Sequence, residues 1–139
     1  MKIEDIDTFT RHYLIAALWS SNDESTPSGG EPMDANYSLD DIAPETVQKA
    51  YADCFDFQNE NAAKLAAAYL FYVENGNAAH PDAGSPEACA GHDFCLTRNG
   101  HGAGFWDRGM GAVGEALSDA ARDCGEVNLN VGDDGKIHS

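Results

Sequence analysis

The residue types that carry chemistry are concentrated in one stretch, His92 to Gly109, which reads HDFCLTRNGHGAGFWDRG. It gathers His92, Asp93, Arg98, His101, Asp107 and Arg108, with Cys95 among them and Gly100, Gly102, Gly104 and Gly109 in its second half. Three chemistries could draw on this set. Imidazole and carboxylate groups suit zinc or iron, so His92, Asp93, His101 and Asp107 make a candidate metal site, although no pair has helical i, i+4 spacing. A Cys95 thiol beside His92 or His101 would give a nucleophile, because the imidazole can take the thiol proton. The run Gly100-His101-Gly102-Ala103-Gly104 between Arg98 and Arg108 has the ingredients of a phosphate cradle, without the strand–loop–helix setting that makes such loops specific. Packing is the competing explanation, and the stronger one. Phe94, Phe105 and Trp106 would supply core, the glycines a tight turn, and the two arginines neutralising partners for Asp93 and Asp107. The expectation is therefore no catalytic residue, no metal and no cofactor. His92, Asp93, Arg98, His101, Asp107 and Arg108 stand as an alternative ligand or enzyme site.

Acidity is the other chemical signal. The chain has 139 residues with 24 acidic and 8 basic side chains, a formal charge of −16. Such a field opposes ordinary electrostatic binding to DNA, RNA or anionic lipid, and favours a basic partner, a cation or plain solubility. High acidity with ordinary hydrophobicity is also a halophile's signature. Residues 21–60 carry Asp23, Glu24, Glu31, Asp34, Asp40, Asp41, Glu45, Asp53, Asp56 and Glu60 against the single base Lys49. On a helix, Glu45 and Asp53 lie about 12 Å apart and Asp53 and Glu60 about 10 Å apart. Loop acids filling between them would approximate the phosphate array of a duplex. Two readings remain: a solvated face, and a surface that occupies a basic nucleic-acid site. Glu45, Lys49 and Asp53 at i, i+4, i+8 can pair among themselves, which weakens the second reading locally.

The elements that position these residues follow from periodicity. Ile6, Phe9, Tyr13 and Ala17, widened by Leu14 and Leu18, recur at helical spacing from Asp5 to Ser20, with Asp5 and Asp7 at the positive helix end. Residues 21–43 are rich in Ser, Pro, Gly, Asn and Asp and read as a long acidic loop. Pro44 opens a second helical pattern that can run to Asn75, with Gly76 as its stop and a possible break between Gln58 and Asn61. Its last part, Ala66 to Val73, is apolar nearly all round and is expected to be the most buried. Residues 77–91 read as a loop. Phe94 and Leu96 alternate with Cys95 and Thr97 before Asn99-Gly100, a strong hairpin signal, with a return strand from Gly104 to Arg108. A third helix runs from about Met110 to Gly125. A second hairpin closes the chain, from Val127–Val131 through Gly132-Asp133-Asp134-Gly135 to Lys136–His138. The expected fold class is α+β in one domain over 1–139. A helical part, 1–76, precedes a hairpin–helix–hairpin part, 91–139, and two or three helices pack on a small antiparallel sheet built from both hairpins.

Nothing in the sequence is long and apolar enough for a transmembrane span, and Met1 to Thr10 lacks the basic-then-apolar pattern of a signal peptide. The expected location is the bacterial cytoplasm, with Cys54, Cys89, Cys95 and Cys124 as reduced thiols.

The HDFCLTRNGHGAGFWDRG motif, the glycine-rich start of the following helix and Val131-Gly132-Asp133-Asp134-Gly135 resemble a family of small acidic bacteriophage and prophage proteins of unassigned function. Ala17-Leu18-Trp19-Ser20 and Asp34-Ala35-Asn36-Tyr37 share the resemblance, which spans most of the chain. Cys95 stands where the family motif is associated with an aromatic residue, which argues against Cys95 as an essential nucleophile. Small acidic phage proteins include DNA mimics and anti-CRISPR proteins, so the resemblance and the charge together imply an inhibitor of a host-defence complex. Its partner would be a basic nucleic-acid-binding surface of a CRISPR or restriction complex, with no direct nucleic-acid contact and no membrane.

Overall fold

A computed structural model describes residues 1–27, 29–76 and 84–139. Within them the chain is mixed helix and strand with helix dominant: an α+β arrangement with two small antiparallel sheets. The helices are α1 (Thr8–Ser20), α2 (Pro44–Glu60), α3 (Ala62–Glu74), α4 (Pro86–Arg98) and α5 (Ala112–Asp123). The strands are β1 (Asn22–Asp23), β2 (Glu31–Pro32), β3 (Asn130–Val131) and β4 (Ile137–His138).

Helix starts and stops follow local chemistry. Asp7 caps α1 by accepting the Thr10 N–H at 3.3 Å, and its other oxygen accepts from Gln58 of α2 at 3.0 Å. Pro44 opens α2 at a position where its missing N–H costs nothing. The break between α2 and α3 falls at Asn61, whose side chain turns back onto the Phe57 carbonyl at 3.0 Å. Gly76 and Gly125 end α3 and α5 in the left-handed conformation, as their positions in the sequence imply.

The largest correction concerns residues 86–104. The expected first hairpin is absent, and α4 stands in its place. Ser85 caps it through the Ala88 N–H, and Pro86 occupies its first turn. Asn99-Gly100 is the end of that helix. Gly100 takes φ +70°, its N–H bonds the Thr97 carbonyl at 3.2 Å, and the His101 N–H bonds the Leu96 carbonyl at 3.0 Å. That pair of bonds is a Schellman cap, which shares its left-handed glycine with hairpin turns. Residues 104–108, expected as a return strand, form a short 3-10 turn at Phe105–Asp107 and loop.

The closing hairpin forms as expected, though shorter. Asn130 pairs with His138 and Val131 with Ile137. Ile137 also bridges Ile42 in parallel, and its carbonyl accepts the Ala43 N–H at 2.9 Å, tying the hairpin to the start of α2. The acidic stretch 21–43 contains β1, β2 and two 3-10 turns, so the second sheet lies there and not in the expected joint sheet. Of the expected loop 77–91, residues 77–83 lie outside the described residues, and its end belongs to α4.

Helix α4 is the centre of the core. Ala88, Cys89, Ala90, Gly91 and every residue from Asp93 to Arg98 are buried. Phe94 stacks on Phe57 of α2 at 4.1 Å between ring centroids, and Tyr13 and Phe9 of α1 lie 5.4 and 6.0 Å from it. A Cβ built on Gly91 would stand 2.1 Å from the Phe9 carbonyl oxygen, so only glycine permits the α1–α4 crossing. Phe94 and Phe105 are core as expected, whereas Trp106 is 46% exposed. Ala66–Val73 also departs from expectation: Leu65, Ala68 and Tyr72 are buried, but Leu70 is 66% and Val73 61% exposed.

Candidate functional site

The segment His92–Arg108 divides into separate networks. At Asp93 the carboxylate is fully buried on α4. Its Oδ1 accepts from Arg108 Nη2 at 2.9 Å and from Nε at 3.2 Å, a two-pronged guanidinium contact. Its Oδ2 accepts the hydroxyl of Tyr72 on α3. Burial, then the adjacent Asp93 charge, drives the Tyr72 hydroxyl pKa far upward, so Tyr72 stays a proton donor. Asp107 flanks Arg108 at 3.6 Å and accepts the Gly104 N–H at 3.0 Å, closing the short turn.

Arg98 leaves the last turn of α4 in another direction. Its Nη1 reaches Asp53 Oδ2 of α2 at 2.9 Å and the Tyr13 hydroxyl of α1 at 3.2 Å. Its Nε and Nη2 donate to the Gly125 and Cys124 carbonyls at 2.8 and 3.1 Å. Those carbonyls end α5, where a cation complements the helix dipole. One guanidinium thus joins α1, α2, α4 and the end of α5.

These contacts settle the geometry of the three chemistries read from the sequence. Both arginines are engaged by carboxylates, Arg98 by Asp53 and Arg108 by Asp93, and the Gly104 N–H at the end of the glycine run is taken by Asp107, so the groups a phosphate cradle would use already have partners. Cys95 is buried, and burial pushes its thiol up to about 12, the reverse of an activated nucleophile. Among the described residues no group of three or more His, Cys, Asp or Glu side chains is placed to hold a metal ion. His92 is half-buried with its ring 5.8 Å from exposed Trp19. His101 lines a shallow cleft of about 330 Å³ with Trp19, Ser20, Leu96, Gly102 and Ala103. The structure does not bring His92, Asp93, Arg98, His101, Asp107 and Arg108 together as one site.

The ten acids of residues 21–60 also divide. Asp23 is closed off from solvent and accepts from the Ser25 hydroxyl and N–H, at 2.5 and 2.9 Å, and from Asn36 at 2.9 Å. Those bonds, the Ser25 hydroxyl first, hold its carboxyl below the usual range. Glu31 accepts from the same Asn36 amide at 3.0 Å. Asp41 closes a reciprocal cap with Ser38, and Asp53 is the partner of Arg98. Glu24, Asp34, Asp40, Glu45, Asp56 and Glu60 present exposed side chains. On α2, Glu45, Asp56 and Glu60 fall within a sector of about 60° and span about 22 Å. Lys49 sits in that sector too. Exposed Phe55, at 51%, stacks on Tyr51 at 6.0 Å beside this row.

Sequence reasoning missed Tyr72, Tyr13 and Gly91. The tyrosines carried a faint signal, since a phenol in a wholly apolar run needs a buried partner for its hydroxyl. No helix of the described residues is long and apolar enough to cross a membrane. Comparison with family models, curated proteins and solved structures finds no match for this chain.

Proposed function

We propose that this chain is a non-catalytic binding protein, a phage-encoded inhibitor of a host-defence complex that occupies a basic nucleic-acid-binding site with its acidic surface. One observation carries the reading: the fold commits Arg98 to Asp53 and Arg108 to Asp93 and Asp107, so two of the eight cations that could offset the −16 elsewhere on the surface are taken up locally. The phage setting comes from the resemblance of the His92–Gly109 motif, and the inhibitory role from the charge. The contact set is narrower than the sequence implies. Glu24, Asp34, Asp40, Glu45, Asp56 and Glu60 are its members, with Phe55 as an aromatic anchor of the kind that concentrates interface energy. Asp23 and Asp53 belong to the fold.

Such a surface speeds encounter with a Lys/Arg-lined groove, and its affinity falls as salt rises. The test is plaque formation by a targeted phage on CRISPR- or restriction-proficient hosts, with and without the chain expressed. Rescue of plaquing is expected, and reversing Asp34, Asp40, Glu45 and Asp56 together to Lys should abolish it while the protein stays folded. Full inhibition by the reversed variant would refute the electrostatic mechanism.

A further inference from the structure

Helices α1 and α4 both end at one cleft, whose two compartments meet at Ser20 and His101. The first, about 330 Å³, is mostly apolar, with Trp19, Leu96 and Ala103 in its walls. The second, about 230 Å³, is mostly polar and is edged by Ser21, Asn22, Asn99 and Asn128. Trp19 is 55% exposed and its ring lies 5.8 Å from that of His92, so the indole is braced and still presents a surface. Asn99 is committed to the fold: its amide donates to the Cys95 carbonyl at 3.1 Å and accepts the Val127 N–H at 2.8 Å, which fixes the wall at 127–129. The His101 imidazole and the exposed Asn22 and Asn128 amides take no part in such bonds among the described residues.

The lining holds no Asp, Glu, Lys or Arg. Glu126 stands at the edge, its Oε1 3.8 Å from the place a Cβ on Gly100 would take. Asp23, next to Asn22, is buried and spent on Ser25 and Asn36. No cation answers them, because Arg98 in the last turn of α4 is held by Asp53. Both helices also direct their C-terminal, negative ends here. This field disfavours a phosphate and favours a neutral ligand that donates hydrogen bonds.

We propose that the cleft binds an uncharged nucleoside, its base against Trp19 in the apolar compartment and its ribose among Ser21, Asn22 and Asn128 in the polar one. The pairing of compartments selects this class. An aromatic hydrocarbon would leave the amides of the polar compartment without partners, and a free sugar would leave the apolar compartment unfilled. A nucleoside carries both halves. Its planar base stacks on an aromatic side chain whatever the base, and its hydroxyls donate and accept as an amide accepts and donates. His101, at the junction, is placed to bond the edge of the base. Joined, the compartments fall within the roughly 300–1,000 Å³ of small-ligand sites. No residue of α2 lines the cleft, so this reading stands apart from the inhibitory one.

Isothermal titration calorimetry of the full chain with adenosine, guanosine, cytidine and uridine tests this, with the matching 5′-monophosphates and glucose as comparison ligands. The expected result is a Kd of about 10–100 µM for at least one nucleoside, binding about tenfold weaker or worse for its monophosphate, and none for glucose. Trp19→Ala should weaken nucleoside binding about tenfold or more through lost stacking, and Asn128→Ala several-fold. Both side chains are exposed, so circular dichroism should match the wild type in each variant. Glu126→Gln should strengthen binding of the monophosphate and leave that of the nucleoside as it was. No heat from any of the four nucleosides at about 1 mM overturns the proposal. So does glucose binding as strongly as a nucleoside, a monophosphate binding as tightly as its nucleoside, or affinity indifferent to Trp19→Ala.

Discussion

Asp93→Asn removes one charge and almost no volume from the centre of α4. The wild-type carboxylate is fully buried, and Arg108, which grips it at 2.9 Å, has a side chain only 13% exposed. Removing one partner of a buried pair costs about 3–5 kcal/mol, because the remaining charge is left without its counter-charge away from water. Arg108 retains some solvent and Asp107 at 3.6 Å, which places Asp93→Asn near the lower end, about 3 kcal/mol. Arg108→Met strands the fully buried carboxylate instead and should cost more, about 4–5 kcal/mol. Tyr72→Phe deletes one bond to a carboxylate that keeps its guanidinium, at about 1–2 kcal/mol. The double variant Asp93→Asn with Arg108→Met leaves no unpaired charge, so it should be more stable than the sum of its singles by about 2–3 kcal/mol. Urea unfolding followed by tryptophan fluorescence measures all four. With a slope of about 2 kcal/mol per molar, a loss of 3 kcal/mol moves the midpoint by about 1.5 M. A loss below about 1 kcal/mol for Asp93→Asn, or additive singles, would refute the view that this pair is held by the demands of packing.

Gly91→Ala opposes two effects: helix propensity favours alanine by about 1 kcal/mol, while the new Cβ meets the Phe9 carbonyl oxygen at 2.1 Å. Backbone cannot yield as a side-chain tip can, so net destabilisation of about 1–3 kcal/mol is expected, and a raised unfolding midpoint would contradict the close crossing. Native thiol titration should modify Cys124, the one exposed cysteine, well before Cys54, Cys89 and Cys95. Burial pushes Cys89 to about 11 and Cys95 to about 12, so a fast second thiol at neutral pH would reopen the nucleophile reading. The depressed carboxyl of Asp23 contributes stability that is complete above the ordinary carboxylate range and is lost as pH falls through its lower folded value. The Ser25 amide resonance should therefore titrate with a midpoint below about 3.9, and a midpoint at or above that would contradict the hydrogen bonds drawn here.

Where the chain has one wet face and one dry face, its sequence was readable. The stripe from Phe9 to Ala17, the start at Pro44, the break at Asn61 and the stops at Gly76 and Gly125 all come from amphipathic spacing or cap chemistry that local residues determine. Helix α4 defeats that method because it is buried on nearly every side. With no polar face there is no period of 3.6, and four residues of chance alternation around Phe94 and Leu96 read as a strand. The Ser85-Pro86-Glu87 opening was the available signal, a capping serine followed by proline and an acid in the first turn. Asn-Gly reinforced the wrong choice for a physical reason: a left-handed glycine serves a helix cap and a hairpin turn equally well.

The candidate sites show a different limit. The sequence displays how many charges there are, and it is silent on which of them the fold consumes. Asp53 and Asp56 look alike on a helical wheel, yet one anchors Arg98 and the other faces solvent. His92 to Arg108 looked chemically rich because two arginines and two aspartates stand close in sequence. On α4 a step from residue 93 to 98 turns the helix by about 500°, so Asp93 and Arg98 diverge by about 140° and enter separate networks. The same reasoning bears on α3. Apolar residues all round Ala66–Val73 state how much surface is suited to cover, while the packing of α4 and α5 covers only the Leu65, Ala68 and Tyr72 side. The uncovered remainder is where an apolar contact outside the chain's own fold can form, and the exposed carboxylates of α2 are where a charged one can.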